Sequence, residues 1–218
     1  MDTIAINNAL AFAHEPHFYL TPENLKAVQC DSLESARDEA TAVGDRYKNK
    51  VESAARILGV QAADFGLEDF TNIARRTLTL PPIDFNQFCG LLGVLLRRAA
   101  LRDEIQGSIL RSINTCFEPV AWTQLVWLAP EADAAVAFWN RTAGPEALSA
   151  LELEAAGFAA LQPVANTKGM QHRLALRAKP QWKIFQFEGT AITVDQLTAL
   201  TGAILTIWRP TCSPTYFD

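Results

Sequence analysis

The sequence predicts a mainly α-helical protein, a single globular multi-helix domain that spans residues 1–218. Apolar residues recur at intervals of three and four in several segments, which is the spacing of one face of an α-helix. Prolines stand at the start of these segments or between them, where they open or stop helices. The only strand-like alternation lies in "HRLALRA" and "WKIFQF", on either side of Pro180. The sequence therefore leaves two alternatives for this region: a small β-hairpin near residues 172–187, or a helical turn in the first of the two stretches.

The N-terminal third is predicted to begin with a loop and to continue in helices. Residues 1–20 are expected to be loop-like, with aromatic residues around the proline of "HEPHFYL". "TPENL" then indicates a helix start, with Thr21 as the N-cap and Pro22 at the first helical position. A second helix is expected in "DRYKNKVESAARILGV". A third is expected through "LEDFTNIARRTL", and the two prolines that follow stop it.

The strongest helical pattern is "FNQFCGLLGVLLRRAALRDEI", for which Asp84 is a candidate cap. Gly90 and Gly93 inside it cost about 1 kcal/mol each relative to alanine in an exposed helix. A second helix crossing closely at these glycines would offset that cost, because small residues let backbones approach. The helix is predicted to bury the apolar residues that recur every three or four positions: Phe85, Phe88, Leu91, Leu92, Leu95 and Leu96.

Helical patterns continue to the C-terminus. They run through "ILRSINTCF", "PVAWTQLVWLA" and "EADAAVAFWNRTAG". "TVDQLTALTGAILTIW" reads as a last helix that starts at Thr193. Between them, "GPEALSALELEAAGFAALQP" is predicted to present one apolar face, formed by Leu148, Leu151, Ala155 and Phe158. Three tryptophans at helical spacing are predicted to be core residues rather than a binding platform: Trp122, Trp127 and Trp139.

Composition and charge exclude several classes of function. Of 218 residues, 49% are apolar and 20% charged, and the net charge is −5. Non-specific nucleic-acid binding needs dense lysine and arginine, which this chain lacks. The N-terminus "MDTIAINNAL" has no basic segment followed by an apolar one, so no signal peptide is expected. The most apolar stretch, "FCGLLGVLL", is far shorter than the ~20 residues of a membrane span. The expected location is cytoplasmic.

No catalytic, cofactor-binding or metal-ligating residue is predicted. His14 and His17 form an HxxH pattern without a third ligand nearby. A cysteine nucleophile paired with His172 stays open as a third class of function, because such groups need only spatial proximity. The cysteines are widely spaced, with no CxxC, and are predicted to be reduced, buried thiols: Cys30, Cys89, Cys116 and Cys212.

Three separate segments resemble one protein family. "LAFAHEPHFYLTPENL" is similar to an N-terminal pattern in which an apolar residue and a phenylalanine precede a proline, an aromatic-leucine pair and a short helix. "FCGLLGVLLRRAALRDEI" is similar to a Leu-rich central helix followed by arginines. "WRPTCSPTYF" resembles a C-terminal Pro-Thr-Cys-Ser signature with an aromatic tail. Together they resemble the SctK/YscK accessory proteins of the type III secretion sorting platform.

The resemblance implies a non-enzymatic adaptor at the cytoplasmic face of the inner membrane. Such a protein would link the cytoplasmic domain of the inner-membrane ring protein (the D subunit) to the pod protein (the Q subunit). It would need no cofactor, and it would reach the membrane through protein contacts only. The alternative is a cytoplasmic chaperone or regulator that binds secretion substrates.

The last residues, "WRPTCSPTYFD", either pack on the domain or are held out for a partner. Packing is favoured, because paired aromatics left in water would form an apolar patch. The candidate partner contacts are aromatic and charged side chains of the first loop and of this tail: Phe18, Tyr19, Trp208, Arg209, Tyr216 and Phe217.

Overall fold

The computed structural model describes residues 1–14, 19, 63–103, 107–117, 119–127, 140–143, 148–188 and 192–218. This part of the chain is mainly helical, which confirms the predicted fold class. The α-helices are α1 (Thr3–His14), α2 (Ile73–Arg76), α3 (Pro82–Leu96), α4 (Arg98–Asp103), α5 (Gly107–Cys116), α6 (Pro119–Val126), α7 (Ala150–Ala160), α8 (Lys168–Leu176) and α9 (Val194–Leu205). Short 3-10 turns lie at Leu67–Thr71, Thr77–Thr79, Gln162–Val164 and Pro180–Ile184.

Two short strands complete the described elements. Strand β1 (Asn140–Ala143) pairs antiparallel with β2 (Gln186–Glu188), and the register shifts between Arg141 and Ala143. None of the helices in the described ranges combines the length and the apolar character that crossing a membrane requires.

The centre of the fold is the crossing of α3 and α7. A Cβ on Gly93 would lie 1.8 Å from the carbonyl oxygen of Leu153, and a Cβ on Gly157 would lie 1.9 Å from that of Cys89. A Cβ on Gly90 would lie 2.0 Å from the Phe117 ring. A close helix crossing is therefore present at Gly93, whereas Gly90 meets the ring of Phe117, which follows α5. All six apolar residues predicted for the buried face of α3 are buried.

The predicted face of α7 is only partly right. Leu148 and Ala155 are buried, whereas Leu151 and Phe158 are half-buried. The residues that meet α3 lie on the neighbouring face around Leu153. The prediction relied mainly on large apolar side chains, so it missed this face, where Gly157 approaches the backbone of α3.

The first residues are a helix, so the predicted loop over residues 1–20 is wrong for Thr3–His14. The Asp2 carboxylate accepts a hydrogen bond from the Ala5 N–H at 2.7 Å, which is the N-cap interaction. Ala5, Ala9 and Phe12, spaced by four and three, are buried. The cap and the spacing are both local signals in the sequence.

The hairpin left open near residues 172–187 does not form. "HRLALRA" lies largely in α8, whose N-cap Thr167 accepts a hydrogen bond from the Met170 N–H. "WKIFQF" supplies β2, but the partner strand β1 lies more than forty residues earlier in the chain. The strand signal is therefore right only for Gln186 and Phe187, since residues 182–184 belong to the 3-10 turn. The sequence predicts that residues 140–143 end a helix. That prediction is wrong, because these residues form β1 and pair with the distant β2.

Other local predictions have mixed outcomes. Thr193 does cap α9, in a reciprocal capping box with Gln196. The segment "LEDFTNIARRTL" forms two 3-10 turns around the four-residue α2 rather than one helix. α3 begins at Pro82, so Asp84 lies in its first turn and does not cap it. The helices predicted in "TPENL" and "DRYKNKVESAARILGV" lie outside the described residues, as does "EADAAVAFW".

The tryptophans divide between core and surface. Trp122 is buried as predicted, and its indole N–H donates to Asn114 at 2.6 Å. Trp127 is 73% exposed, so its prediction as a core residue is wrong. It stands at the end of α6 with the Arg102 guanidinium 5.5 Å from its ring centroid. Trp139 lies outside the described residues.

Candidate functional site

The three segments that carry the resemblance meet in one core. From the first segment, Phe12 packs edge-to-face on Tyr19 with ring centroids 5.6 Å apart. From the second and third, Phe88 of α3 packs on Trp208 at 6.1 Å. The Tyr216 hydroxyl donates to the carbonyl of Thr79 at 2.9 Å, and Tyr19 donates to the same oxygen at 3.4 Å. The resemblance is thus carried by residues that pack on one another.

The C-terminal tail, residues 208–218, is held on the core by two carboxylates. The buried Asp84 accepts hydrogen bonds from the Thr211 N–H at 2.7 Å, the Thr211 hydroxyl at 2.7 Å and the Cys212 N–H at 3.0 Å. Asp2 accepts from the hydroxyls of Ser213 at 2.6 Å and Thr215 at 2.9 Å. Because Asp2 also caps α1, one side chain joins the two ends of the chain.

Buried arginines support the same region. Arg76 donates to the carbonyls of Tyr216 and Asp218 in the tail. Arg177 donates to the carbonyls of Leu78 and Leu80, and its guanidinium lies 3.5 Å from the centroid of the Phe85 ring. Burial lowers the pKa of Arg177 to about 10. These arginines satisfy backbone carbonyls that would otherwise be buried without donors.

The six predicted partner contacts have different positions. Tyr19, Trp208, Tyr216 and Phe217 are buried, which confirms that the tail packs on the domain. Arg209 is exposed, and Phe18 lies outside the described residues. Contact of these residues with a partner stays a prediction, and the buried aromatics would reach a partner only after the tail left the core.

Cys89 and Cys212 do not have the environment of an activated thiol. Burial, followed by the hydrogen bond and charge of Asp84, raises the pKa of Cys212 to about 12. Burial also raises the pKa of Cys89. Cys116 is exposed at the end of α5, so the prediction that all four thiols are buried is wrong for Cys116. Within the described ranges, no three His, Cys, Asp or Glu side chains cluster in a way that could hold a metal ion.

The surface carries a concave site that we call the aromatic groove. It lies between α7, the 3-10 turn Pro180–Ile184 and β2, with a volume of about 200 Å³. Phe158 and Trp182 form one part of its lining, with ring centroids 4.8 Å apart. Its lining consists of aromatic and small side chains with two polar ones: Ala155, Phe158, Ala159, Gln162, Ala178, Trp182, Lys183, Phe185 and Phe187.

A second, more polar recess lies next to the aromatic groove. It has a volume of about 530 Å³. Glu154 and Lys179 line it. Glu154 directly precedes Ala155 of the aromatic groove in α7, and Lys179 directly follows Ala178 of the same groove. Lys179 forms an ion pair with Glu154, and the Trp182 indole N–H donates to the same carboxylate at 3.2 Å. The polar recess is lined by Ile83, Asn86, Gln87, Thr115, Cys116, Phe117, Glu154 and Lys179.

The aromatic groove was not among the predicted sites, although its sequence signals were present. "WKIFQF" places three aromatic residues in six positions, and Phe158 follows the small residues Ala155, Ala156 and Gly157. Periodicity could assign these residues to a strand and a helix, but not to one shared surface. No protein-family model, no curated protein sequence and no solved structure matches this chain.

Proposed function

We propose that this protein is a non-enzymatic adaptor of a type III secretion sorting platform. In this role it links the cytoplasmic domain of the inner-membrane ring protein to the pod protein at the cytoplasmic face of the inner membrane. The resemblance of the three segments supports the choice of this system. The three segments also contribute side chains to one core, as the parts of a single adaptor domain would.

The aromatic groove is the observation that carries a binding function. Phe158 and Phe187 are half-buried and line a concave surface beside the exposed Lys183. Aromatic anchors in a recess with a polar rim are typical of the centre of a protein interface. An adaptor needs at least one such surface for each of its two partners.

The adaptor function is tested by binding of the full chain to the two expected partners from the same genome. The purified chain is immobilised, and the pod protein and the cytoplasmic domain of the ring protein are applied separately and then together by biolayer interferometry. We expect each to bind alone, and the second to bind a surface already saturated with the first. Failure of both proteins to bind overturns the adaptor function.

The alternative is a chaperone or regulator of secretion substrates. It is favoured if exported substrates bind the chain while the pod and ring proteins do not. The solution state gives a second distinction, since such chaperones are usually dimers, whereas the single-domain adaptor is expected to be a monomer in size-exclusion chromatography with light scattering.

A thiol enzyme is the third class, and labelling of native cysteines tests it. A maleimide reagent is expected to modify Cys116 in the folded chain, and Cys89 and Cys212 only after denaturation. Cys89 is buried, and Cys212 is half-buried with a pKa raised to about 12, so its reactive thiolate is scarce near neutral pH. Rapid modification of native Cys212 near neutral pH would support the enzyme class instead.

A further inference from the structure

We propose that the aromatic groove binds an amphipathic α-helix of a partner protein, with acidic residues beside the helix's apolar face. This proposal rests on the adaptor function and assigns one of its partner contacts to a surface. The chemistry of the occupant follows from the lining of the groove, its shape and its charge.

The lining requires an apolar occupant. The rings of Phe158, Trp182, Phe185 and Phe187 form the walls, and Phe158 and Phe187 keep part of their surface in contact with water. In β2, side chains alternate between faces, so Gln186 and Glu188 point away from the side that Phe187 occupies. Burying these partly exposed rings against apolar side chains is the favourable step in docking.

The shape favours a helix. Ala155 and Ala159 are one helical turn apart on α7, and both line the groove. Ala155 lies at the buried floor, and the small, half-buried side chain of Ala159 leaves a recess beside it, into which a ridge of side chains from a second helix fits. The occupant would present apolar residues at three- and four-residue intervals, as in other helix-in-groove complexes.

The charge favours acidic flanks. The chain as a whole carries a net charge of −5, yet the charged residue in the lining of the groove is Lys183. Lys183 is exposed, and in the described part of the chain no carboxylate pairs with it. The neighbouring Lys179 is already paired with Glu154. A carboxylate on the partner helix would supply the missing counter-charge for Lys183.

Two variants test the groove, and a third is the control. Ala159→Arg fills the recess at Ala159 with a long side chain without removing a core contact, since arginine is a good helix former. Lys183→Glu reverses the charge at the rim on an exposed residue. Ala99→Arg adds the same charge at an exposed position of α4 outside the groove. Urea unfolding of each variant establishes that it is folded.

Binding is measured with the pod protein, with the ring domain, and with a synthetic probe. The probe is an 18-residue helical peptide with leucines on one face and glutamates beside them, compared with a scrambled peptide of the same composition. For whichever binds, we expect Ala159→Arg to weaken binding about tenfold or more and Lys183→Glu to weaken it about fivefold. Ala99→Arg should stay within about twofold of the wild type. Replacing the probe's glutamates with lysines should restore binding to Lys183→Glu.

The outcomes separate the groove from the adaptor function. If the pod or ring protein binds all variants equally, the groove proposal is overturned and the adaptor function stands. If neither protein binds the wild type, the adaptor function is overturned, and the peptide probe alone tests the groove proposal. Loss of probe binding in Ala159→Arg supports the groove proposal, and equal binding of the scrambled peptide overturns it. A self-association that Ala159→Arg abolishes would identify a second copy of the chain as the occupant, and would also overturn the proposal.

Discussion

At the scale of single residues, Asp84 connects the central helix to the C-terminal tail. Its carboxylate is buried and accepts three hydrogen bonds from Thr211 and Cys212. A buried donor that loses its acceptor costs about 1–3 kcal/mol. Asp84, which the local sequence pattern assigns to helix capping, is therefore one of the side chains that hold the tail.

We expect Asp84→Ala to lower the free energy of unfolding by about 3 kcal/mol, because two backbone N–H groups and a hydroxyl lose their acceptor. Urea unfolding at neutral pH measures this. Asp103→Ala, at an exposed position of α4, is the matched control and should change stability by no more than about 0.5 kcal/mol. Equal stability of the two variants would show that Asp84 does not hold the tail.

Asp2 gives the same region a dependence on pH. Hydrogen bonds from the Ser213 hydroxyl and from the Ala5 N–H lower the pKa of the Asp2 carboxyl below its ordinary value of 3.8. The unfolded chain then binds the proton more readily than the folded chain, so stability rises with pH in this range. The contribution of Asp2 is complete above its unfolded pKa and is lost as the pH falls through the lower, folded value.

Asp2→Asn should therefore destabilise the protein near neutral pH, and its difference from the wild type should shrink as the pH falls below about 4. Urea unfolding of both proteins at about pH 6 and about pH 3 measures the difference. A difference that is unchanged between these conditions would contradict the assignment, because it would not arise from the charge of Asp2.

At the scale of elements, the crossing of α3 and α7 depends on glycines. Gly93 and Gly157 lie where a Cβ would overlap a backbone carbonyl of the facing helix, and backbone atoms cannot move aside cheaply. Both glycines are therefore required by the distance between the helices rather than by their own conformation. The cost of glycine inside a helix is offset by the packing that this distance allows.

Gly157→Ala should lower the free energy of unfolding by about 2–3 kcal/mol, because the added methyl group forces the helices apart. Gly202→Ala in α9 is the control, since a Cβ there meets no atom within 4 Å. It should raise stability by about 0.5–1 kcal/mol through helix propensity. Thermal and urea unfolding compare the two variants, and stabilisation by both would mean that the helices are not in close contact.

At the scale of the whole molecule, the tail is part of the core. Trp208, Tyr216 and Phe217 are buried, although they are among the last eleven residues of the chain. Tyr216 and Arg76 connect the tail to the segment around Thr79, and Asp2 connects it to α1. Regions more than one hundred residues apart in sequence are thus stabilised together.

Deletion of residues 206–218 should abolish cooperative unfolding and expose apolar surface to a hydrophobic dye. Tyr216→Phe is the control that keeps the packing and removes the hydroxyl, and it should cost about 1 kcal/mol. Near-ultraviolet circular dichroism and dye fluorescence measure both. A truncated chain that still unfolds cooperatively would indicate that the tail is held out for a partner, as the partner-contact prediction for Trp208, Tyr216 and Phe217 requires.

The sequence by itself determined the features that depend on neighbours three or four residues away. The helical class, the burial of the apolar residues of α3 and the cap at Thr193 all follow from local spacing. The N-cap at Asp2 belongs to the same class of signal, although the prediction of a loop passed over it. These features were accessible because a helix forms its hydrogen bonds and its apolar face within a few residues.

Only the tertiary structure decided which distant residues meet. Three features join segments that lie far apart in the chain: the pairing of β2 with β1, the hydrogen bonds between Asp84 and the tail, and the assembly of the aromatic groove. The exposure of Trp127 was likewise decided by the tertiary packing. Apolar periodicity shows that one face of a helix or strand will be buried. It does not show which other segment buries that face, because the hydrophobic effect is non-directional. The groove exists because α7, the turn at Pro180–Ile184 and β2 come together in space and leave part of their aromatic surface uncovered.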